Sequence, residues 1–340
     1  MRKQKPTRPG YGVAIPVIIA LFALISGACE NPAGSGAKNK NAEIYMSGVG
    51  TGTIDWGDGA QEEVPLEVDT WSTHSYPKSA TPSITITGVG IIDIIFTGMG
   101  SMALSVIDCP DLVYLDCGSN ALTALTIQNC ALLQELDCSG NKITELDVSG
   151  CTVLQTLDCS DNELTELDVS GCTVLQDFYC YENKIASLNI RGYTNLEIVD
   201  CSENELTILD AGGCTALEKL SCDKNAIAEL DVSGCTVLER LSCESNKLTV
   251  LDLSDCGVLD ILWGDNNLME ADDLNALFVS LPDTLVGGIY ISGNPGAEAC
   301  DRKIAEDKGW QFFSSSDLKM FNREMMNFPR RRQTARTITL

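Results

Sequence analysis

The 340-residue chain has one histidine, few aromatic residues and few basic residues outside its two ends. His74 is the only histidine, so any Ser/His/Asp triad would have to use it. No Gly-rich phosphate loop is present. Residues 29–313 hold 13 basic and 46 acidic residues, a net charge of −33 that disfavours nucleic acid as a partner. No C-x-x-C pair of the kind found in zinc sites occurs. These absences argue against an enzyme, a metal protein and a nucleic-acid-binding protein.

What the chain has in abundance is one repeated unit of 21 residues, without insertions, between Leu112 and Met269. A fixed period of this length predicts a solenoid, in which each coil is stabilised by its neighbours. In the unit that begins at Leu133, polar and apolar residues alternate around Asp137 and again around Asp147, which predicts two short strands in each coil and two parallel sheets. One asparagine recurs in every unit, and we expect its buried amide to hydrogen-bond the backbone of a turn. The repeated asparagines are Asn120, Asn141, Asn162, Asn183, Asn204, Asn225, Asn246 and Asn267.

The unit resembles the short bacterial leucine-rich repeats of surface proteins, in the variant L-x-x-L-x-C-x-x-N-x-L-x-x-L-D-L-x-x-C-x-x. The resemblance implies a mainly β leucine-rich-repeat solenoid over residues 89–269 that serves as a non-catalytic binding scaffold. Its first coil is degenerate, because Met99 stands where the asparagine is expected. Residues 270–313 are expected to form a C-terminal cap with helices at 272–281 and 297–308, and with Trp310 and Phe312 closing the core.

The N-terminus predicts export and lipid attachment. Four basic residues precede an apolar run of 13 residues, Val13 to Ile25, which is too short to span a bilayer well. The run ends in Ser26-Gly27-Ala28-Cys29, which resembles the lipobox of bacterial lipoproteins. The resemblance implies a signal peptide over 1–28, acylation of Cys29, a flexible tether over 29–40 and a place in the bacterial cell envelope, at the outer membrane or cell surface. Plain secretion and an uncleaved membrane anchor are the alternatives.

Residues 41–88 have the pattern of a small β domain. Trp56-Gly57-Asp58-Gly59 is a tight-turn sequence, and alternating strands surround His74 and follow it. The segment resembles PKD-type, immunoglobulin-like β-sandwich domains, although it is shorter than a complete domain. Asp55 and Asp58 are interpreted as turn residues rather than calcium ligands. At the other end of the chain, residues 314–340 are basic and without periodicity, and they are expected to be disordered.

Fourteen of the sixteen cysteines fall into two columns. Inward side chains stacked about 4.8 Å apart stay parallel, whereas a disulfide needs converging Cβ atoms about 3.8 Å apart. Buried free thiols are therefore the favoured interpretation, with disulfides as the alternative and metal clusters least favoured. The columns are Cys117, Cys138, Cys159, Cys180, Cys201, Cys222 and Cys243, and Cys109, Cys130, Cys151, Cys172, Cys214, Cys235 and Cys256.

The outward positions of the first strand form a mostly acidic column: Asp116, Asp137, Asp158, Tyr179, Asp200, Ser221, Ser242 and Trp263. A water-exposed solubilising face is the simplest interpretation, and weak calcium binding is the alternative. Aromatic side chains amid charge are typical partner anchors, so we expect a protein ligand, on a host or a neighbouring cell, to dock here. Glycan binding or a structural role in the envelope is the other hypothesis, and no cofactor, catalytic residue or oligomer is predicted. The candidate binding residues are Tyr114, Asp116, Asp137, Asp158, Asp177, Tyr179, Tyr181 and Trp263.

Overall fold

The computed structural model describes residues 40–67, 71–98, 100 and 102–314. These residues belong to one compact unit. The expected signal peptide, Cys29, the tether up to residue 39, Met99 and the basic tail from residue 315 lie outside the described residues.

A long sheet of thirteen strands runs through the unit, in the order β20-β19-β18-β17-β15-β13-β12-β11-β10-β8-β6-β1-β4. From β6 to β20 the neighbouring strands are parallel, and each coil contributes three residues with the central one buried. The coil strands are β8 (Tyr114–Asp116), β10 (Glu135–Asp137), β11 (Thr156–Asp158), β12 (Asp177–Tyr179), β13 (Ile198–Asp200), β15 (Lys219–Ser221), β17 (Arg240–Ser242) and β18 (Ile261–Trp263).

The second half of each coil is less regular than expected. A five-stranded sheet, β3-β2-β5-β7-β9, a two-stranded sheet, β14-β16, and a single bridge between Asn189 and Asp210 are the strand pairings in this layer among the described residues. The prediction of a second strand in every coil is therefore wrong. The alternating stretch Leu146-Asp147-Val148 is short, and its last residue already begins a turn, in which the carbonyl of Val148 accepts the amide of Cys151 at 2.9 Å. The strands concerned are β7 (Met102–Ile107), β9 (Leu122–Gln128), β14 (Ile208–Asp210) and β16 (Glu229–Asp231).

The N-terminal strands share both sheets with the coils. Strands β1, β4 and β6 extend the long sheet, while β2, β3 and β5 extend the five-stranded one. The expected boundary between a separate sandwich at 41–88 and the solenoid therefore does not divide the fold. The strands are β1 (Lys40–Gly48), β2 (Thr51–Asp55), β3 (Gln61–Pro65), β4 (Trp71–Tyr76), β5 (Ser83–Thr87) and β6 (Ile91–Gly98).

The W-G-D-G turn is fixed by its own side chains. Asp58 contacts His74 Nε2 at 2.7 Å, and the His74 ring stacks on Trp56 with centroids 5.1 Å apart. The hydroxyl of Tyr76 donates to the carbonyl of Trp56 at 2.7 Å. The carboxylate of Asp55 accepts the amide of Gly57 at 2.9 Å. These contacts give the single histidine and both aspartates structural roles.

After the last repeat come α1 (Ala271–Ser280), β19 (Gly287–Tyr290), α2 (Lys303–Glu306) and β20 (Trp310–Phe313). The first helix agrees with the prediction within a residue at each end, whereas the second is four residues long, not the expected span of 297–308. Trp310 is buried, and Phe312 packs edge-on against Phe278 with centroids 5.5 Å apart. Among the described residues, no helix combines the length and the apolarity needed to cross a bilayer.

The asparagine amides hydrogen-bond turn backbone, as predicted, and the structure shows that they also bridge neighbouring coils. Asn204 accepts the amide of Ile185 in the preceding coil at 2.9 Å, and its Nδ2 donates to the carbonyl of Cys180 at 2.9 Å. Within its own coil, Nδ2 also lies 3.2 Å from the carbonyls of Cys201 and Ser202. The amide therefore satisfies turn backbone that the strand ladders leave without partners. Asn294 continues the same pattern after the 21-residue period has ended.

All fourteen column cysteines are free and buried, which agrees with the favoured interpretation. Nine of these thiols donate weak hydrogen bonds to backbone carbonyls of an adjacent coil, for example from Cys201 to Ser221 at 3.4 Å and from Cys214 to Ile190 at 3.0 Å. Burial raises the pKa of the Cys138 thiol well above its usual range, so the protonated donor form is maintained. The thiols thus act as compact side chains with one weak donor each.

We expect Asn204→Ala to lower the free energy of unfolding by about 3 kcal/mol or more, because the backbone groups of two coils lose their partner. Asn195→Ala is the matched control: Asn195 is exposed and makes a single 3.3 Å contact, to the carbonyl of Thr173, so its effect should be within about 0.5 kcal/mol. Urea unfolding followed by circular dichroism measures both. Equal effects of the two substitutions would contradict the bridging role.

Candidate binding surface

The outer face is the side of the long sheet that carries the residues flanking each buried central residue. Strand pairing aligns these residues in two rows. The first row is Tyr114, Glu135, Thr156, Asp177, Ile198, Lys219, Arg240 and Ile261, and the second row is Asp116, Asp137, Asp158, Tyr179, Asp200, Ser221, Ser242 and Trp263. The second row is the column predicted from the sequence, so the expected alignment is confirmed.

The aspartates of the second row cap their own turns. Oδ1 of Asp137 accepts the amide of Ser139 at 3.0 Å and its hydroxyl at 2.7 Å. Asp158 makes the same two bonds to Ser160, and Asp116 accepts the amide of Gly118 at 3.0 Å. A carboxylate that accepts the amide two residues later stabilises an Asx turn. The acidic row therefore has a local structural function in addition to any role at the surface.

In later coils the aspartate moves two positions along the repeat. Ser221 and Ser242 take the second-row positions, and Asp223 follows Cys222. Oδ1 of Asp223 accepts the hydroxyl of Ser242 at 2.6 Å and the amide of Glu244 at 2.7 Å, both in the next coil. The capping carboxylate thus bonds within its own coil at Asp137 and Asp158, whereas at Asp223 it bonds to the next coil.

Burial on this side raises the pKa of several aspartates, and three of the shifts are large. Burial raises the pKa of Asp158 to about 6, with help from the charge of Asp137. It raises the pKa of Asp223 to about 7 in spite of two hydrogen bonds that oppose the shift. The pKa of Asp265 is raised to about 6 by burial and by the charge of Glu244. These carboxyls are poorly hydrated. Asp158 belongs to the predicted acidic column, and Asp116 of the same column is 5 % exposed, so the expectation of a fully water-exposed column is wrong at these two positions.

The predicted exposed aromatic anchors are mostly buried. Tyr179 is 5 % exposed and Trp263 is 4 % exposed, while Tyr114 and Tyr181 are half-buried. The hydroxyl of Tyr114 lies 3.4 Å from the carboxylate of Asp116. Outward direction alone does not make a ring accessible, because side chains from adjacent strands, about 4.8 Å apart, cover part of its surface.

Three rings stack at the C-terminal end of the second row. The Trp263 and Tyr290 rings have centroids 6.0 Å apart at 22°, and those of Tyr290 and Phe313 are 5.5 Å apart at 28°. The 21-residue period does not reveal Tyr290 and Phe313 as members of this row, because the step between coils is no longer 21 residues there. The alternation around buried Ile289 was the signal that could have placed Tyr290 in the row.

Two basic residues of the face were also missed. Lys219 and Arg240 occupy the first row in adjacent paired strands. Each stands two positions before a second-row residue in the sequence. Only the strand register makes them neighbours of the acidic residues. Asp177, predicted as a binding residue, lies in the same first row between Thr156 and Ile198. Among the described residues, no group of three or more His, Cys, Asp or Glu side chains is arranged to hold a metal ion.

The raised pKa values predict that the protein becomes more stable as the pH falls from about 8 to about 5. In this range the folded state holds protons on Asp158, Asp223 and Asp265 that the unfolded state, with an aspartate pKa of 3.8, has released. Asp223→Asn keeps an acceptor at Oδ1 and removes the titration. The variant should therefore gain on the order of 2 kcal/mol at about pH 8 and show a shallower pH dependence, measured by urea unfolding.

Asp168→Asn is the control for this measurement. Hydrogen bonds from Ser170 lower the pKa of Asp168, so its contribution is present above pH 3.8 and is lost only at more acidic pH. The substitution should lower stability without changing the slope between about pH 5 and about pH 8. An unchanged slope in Asp223→Asn would contradict the assignment.

Comparison with known families identifies leucine-rich repeats in two parts of the chain. A model described as leucine rich repeats, in two copies, matches residues 131–172, and a leucine rich repeat model matches residues 244–260. Both regions lie among the coils described above. No curated protein matches the sequence.

Solved structures with similar chains include other repeat proteins. The functional domain of InlJ from Listeria monocytogenes, described as including a cysteine ladder, is 27 % identical, with 55 % of this chain and 52 % of that chain covered and a TM-score of 0.37. A leucine-rich-repeat protein of Leptospira interrogans is 17 % identical, with 62 % and 70 % covered and a TM-score of 0.41. The TLR13–ssRNA13 complex is 17 % identical, with 62 % and 40 % covered and a TM-score of 0.37.

The match spans about half of the InlJ domain, and at these TM-scores the likenesses carry no inference about function. The family models and the regular coils lead to the same assignment. The chain contains leucine-rich repeats that form a mainly β solenoid.

Proposed function

We propose that this chain is a non-catalytic scaffold that binds a protein through the outer face of its long sheet. Leucine-rich-repeat solenoids are typical of protein–protein interaction. The observation that supports this face is its two straight rows of charged and aromatic side chains, which vary from coil to coil while the buried positions stay constant. Variable side chains on a constant scaffold provide a surface that can match a partner.

We also propose that the protein is exported and anchored to the bacterial cell surface through a lipid on Cys29, where it acts in adhesion to a host or neighbouring cell. The support is the positive start, the short apolar run and the small residues before Cys29. Its N-terminal strands, which resemble a PKD-type domain, would then serve as the spacer between the lipid and the coils. A soluble secreted form is the alternative that the sequence leaves open.

Glycan binding is the second hypothesis for the same face. Sugar stacking requires accessible rings, whereas Tyr179 and Trp263 are nearly covered. This geometry favours a protein ligand over a sugar. A structural role inside the envelope predicts no ligand on the face at all.

A photo-cross-linking residue placed at Thr156, in the first row, should capture a discrete partner from cell-surface extracts. The same residue placed at Glu166, an exposed position in the second half of that coil, should not. Gel electrophoresis and mass spectrometry identify the adducts. Identical adducts from both positions, or none from Thr156, would contradict binding through the outer face.

The aromatic contribution is tested at Tyr181, because Tyr179 is buried and its removal would disturb packing. Tyr181→Ala should weaken capture at Thr156, since a half-buried ring beside the rows is placed to contact the partner. The melting temperature of the variant should stay close to that of the unmodified protein. Full capture by this variant would remove the proposed role of the ring.

Lipid attachment predicts that the full chain, produced in a Gram-negative host and fed an alkyne fatty acid, becomes labelled. Cys29→Ala should abolish the label and release the protein from membranes, because no acylation site remains. Cys300→Ala is the matched control and should keep the label, which in-gel fluorescence measures. Trypsin added to intact cells should remove the coils, and their survival would contradict exposure at the surface.

A further inference from the structure

The second row of the outer face continues past the coils into the N-terminal strands. The register pairs Asp116 of β8 with Ile95 of β6, Ile95 with Tyr45 of β1, and Tyr45 with Trp71 of β4. In each of these N-terminal strands the residues next to the row are buried, so the row residues lie on the outer side of the sheet. The row therefore ends in an aromatic pair, in which the Tyr45 and Trp71 rings have centroids 5.7 Å apart at 45°.

Trp71 is the accessible tryptophan of this chain. It is 40 % exposed, whereas the other three tryptophans, Trp56, Trp263 and Trp310, are between 2 % and 4 % exposed. Tryptophan surface that stays in water contributes little to folding, because burial of the ring is what stabilises a fold. A large ring that remains exposed beside a second ring is therefore typical of a binding site.

Polar side chains stand beside the aromatic pair. Thr73, Glu43 and Thr97 follow one another across the same three strands, two positions along from the rings. Among the described residues, none of these three side chains forms a hydrogen bond or an ion pair. In the next pair along, by contrast, the hydroxyl of Ser75 donates to Oδ1 of Asn41 at 2.9 Å. The hydrogen-bonding capacity next to the rings is therefore available to a ligand.

We propose that Trp71, Tyr45, Glu43, Thr73 and Thr97 form a platform that binds a neutral carbohydrate. A sugar ring has an apolar C–H face, which fits an aromatic ring, and a rim of hydroxyl groups that donate and accept hydrogen bonds. The platform offers two rings and, beside them, one carboxylate and two hydroxyls. Strand spacing makes it about 10 Å wide across the three strands and about 7 Å long between the two rows, enough for one or two sugar rings. This site is separate from the coil rows to which the proposed function assigns a protein.

The charges around the platform favour a neutral ligand. The outer positions of β4, β1 and β6 include the carboxylates of Glu43 and Asp93 but no Lys or Arg. Phosphate, sulfate and sialic acid groups would be repelled there, whereas a hydroxyl of a neutral sugar can donate to Glu43. A protein anchor typically fills a desolvated pocket, but the groups beside this aromatic pair are hydroxyls and a carboxylate. The same chemistry therefore argues against a protein segment as the ligand.

Acrylamide quenching of tryptophan fluorescence tests the platform directly, because only one of the four tryptophans is exposed. An array of neutral hexose and N-acetylhexosamine oligosaccharides, printed beside sialylated and sulfated ones, selects the probe. The strongest neutral binder, at saturation, should lower the quenching constant about twofold or more, and Trp71→Phe should remove this effect. Binding to no neutral glycan, a preference for the charged glycans, or unchanged quenching at saturation would each overturn the proposal.

Reciprocal variants separate this site from the coil rows. Trp71→Ala should weaken binding of the array-selected glycan about tenfold or more, whereas Tyr181→Ala, which removes a ring from the coils, should weaken it by less than about twofold. Trp71→Ala should also leave cross-linking at Thr156 intact, and equal melting temperatures show that the variants are folded. Unchanged glycan binding in Trp71→Ala would overturn the carbohydrate site, and loss of the Thr156 cross-link in the same variant would assign the ring to the protein interface instead.

The carboxylate is tested by Glu43→Gln, which keeps the shape of the side chain and removes its charge. Glycan binding should weaken about threefold, because hydrogen bonds to an ionised acceptor are stronger than those to a neutral one. Glu63→Gln is the matched control, since Glu63 is exposed on β3 in the other sheet, and it should leave the affinity unchanged. Equal affinities of the two variants would contradict the role of Glu43 as the acceptor of a sugar hydroxyl.

Discussion

The fold depends on a side-chain amide that hydrogen-bonds two coils at once. In Asn162 the oxygen accepts the amide of Ile143 from the preceding coil at 2.9 Å, and the nitrogen donates to the carbonyl of Cys138 at 3.0 Å. Only a carboxamide offers an acceptor and two donors at the end of so short a side chain. A carboxylate would lack the donors, and an aliphatic residue would leave buried backbone groups without partners. Every coil has the same turn backbone groups that need a hydrogen-bond partner, which explains why the asparagine recurs without exception through the regular repeats.

The turn around each asparagine also carries backbone strain that its hydrogen bonds overcome. The residue before the asparagine has a positive φ of 51° to 56° in seven coils without using glycine, as in Glu182 and Lys224. This conformation costs roughly 1–2 kcal/mol for a residue with a Cβ. Because the turn is held by bonds to both neighbouring coils, such residues are tolerated, and the position stays free to carry surface charge. The scaffold therefore fixes its backbone geometry while its exposed positions vary.

The constant coil length determines how a binding surface is formed. Equal coils place equivalent residues side by side, so a substitution in one unit changes one point of a continuous row. In Asp137 and Asp158 of the second row, Oδ1 fixes the local turn, so these side chains belong both to the turns and to the outer face. At these positions one side chain contributes both to the stability of the turn and to the proposed binding surface. First-row residues such as Lys219 do not cap a turn and vary more freely.

The sequence by itself determined the period, the buried columns and the hydrogen bonding of the asparagine amides to turn backbone, because these follow from local alternation and from the hydrogen-bonding capacity of single side chains. That each asparagine bridges two coils was decided by the tertiary structure. It also predicted the second row of the outer face, since a constant period aligns equivalent positions. Only the tertiary structure decided how deeply Tyr179 and Trp263 are buried, how far the pKa of Asp223 is raised, and that Tyr290 and Phe313 extend the row. Burial, desolvation and ring stacking depend on side chains from neighbouring coils, and strand register, not distance along the chain, brings those side chains together.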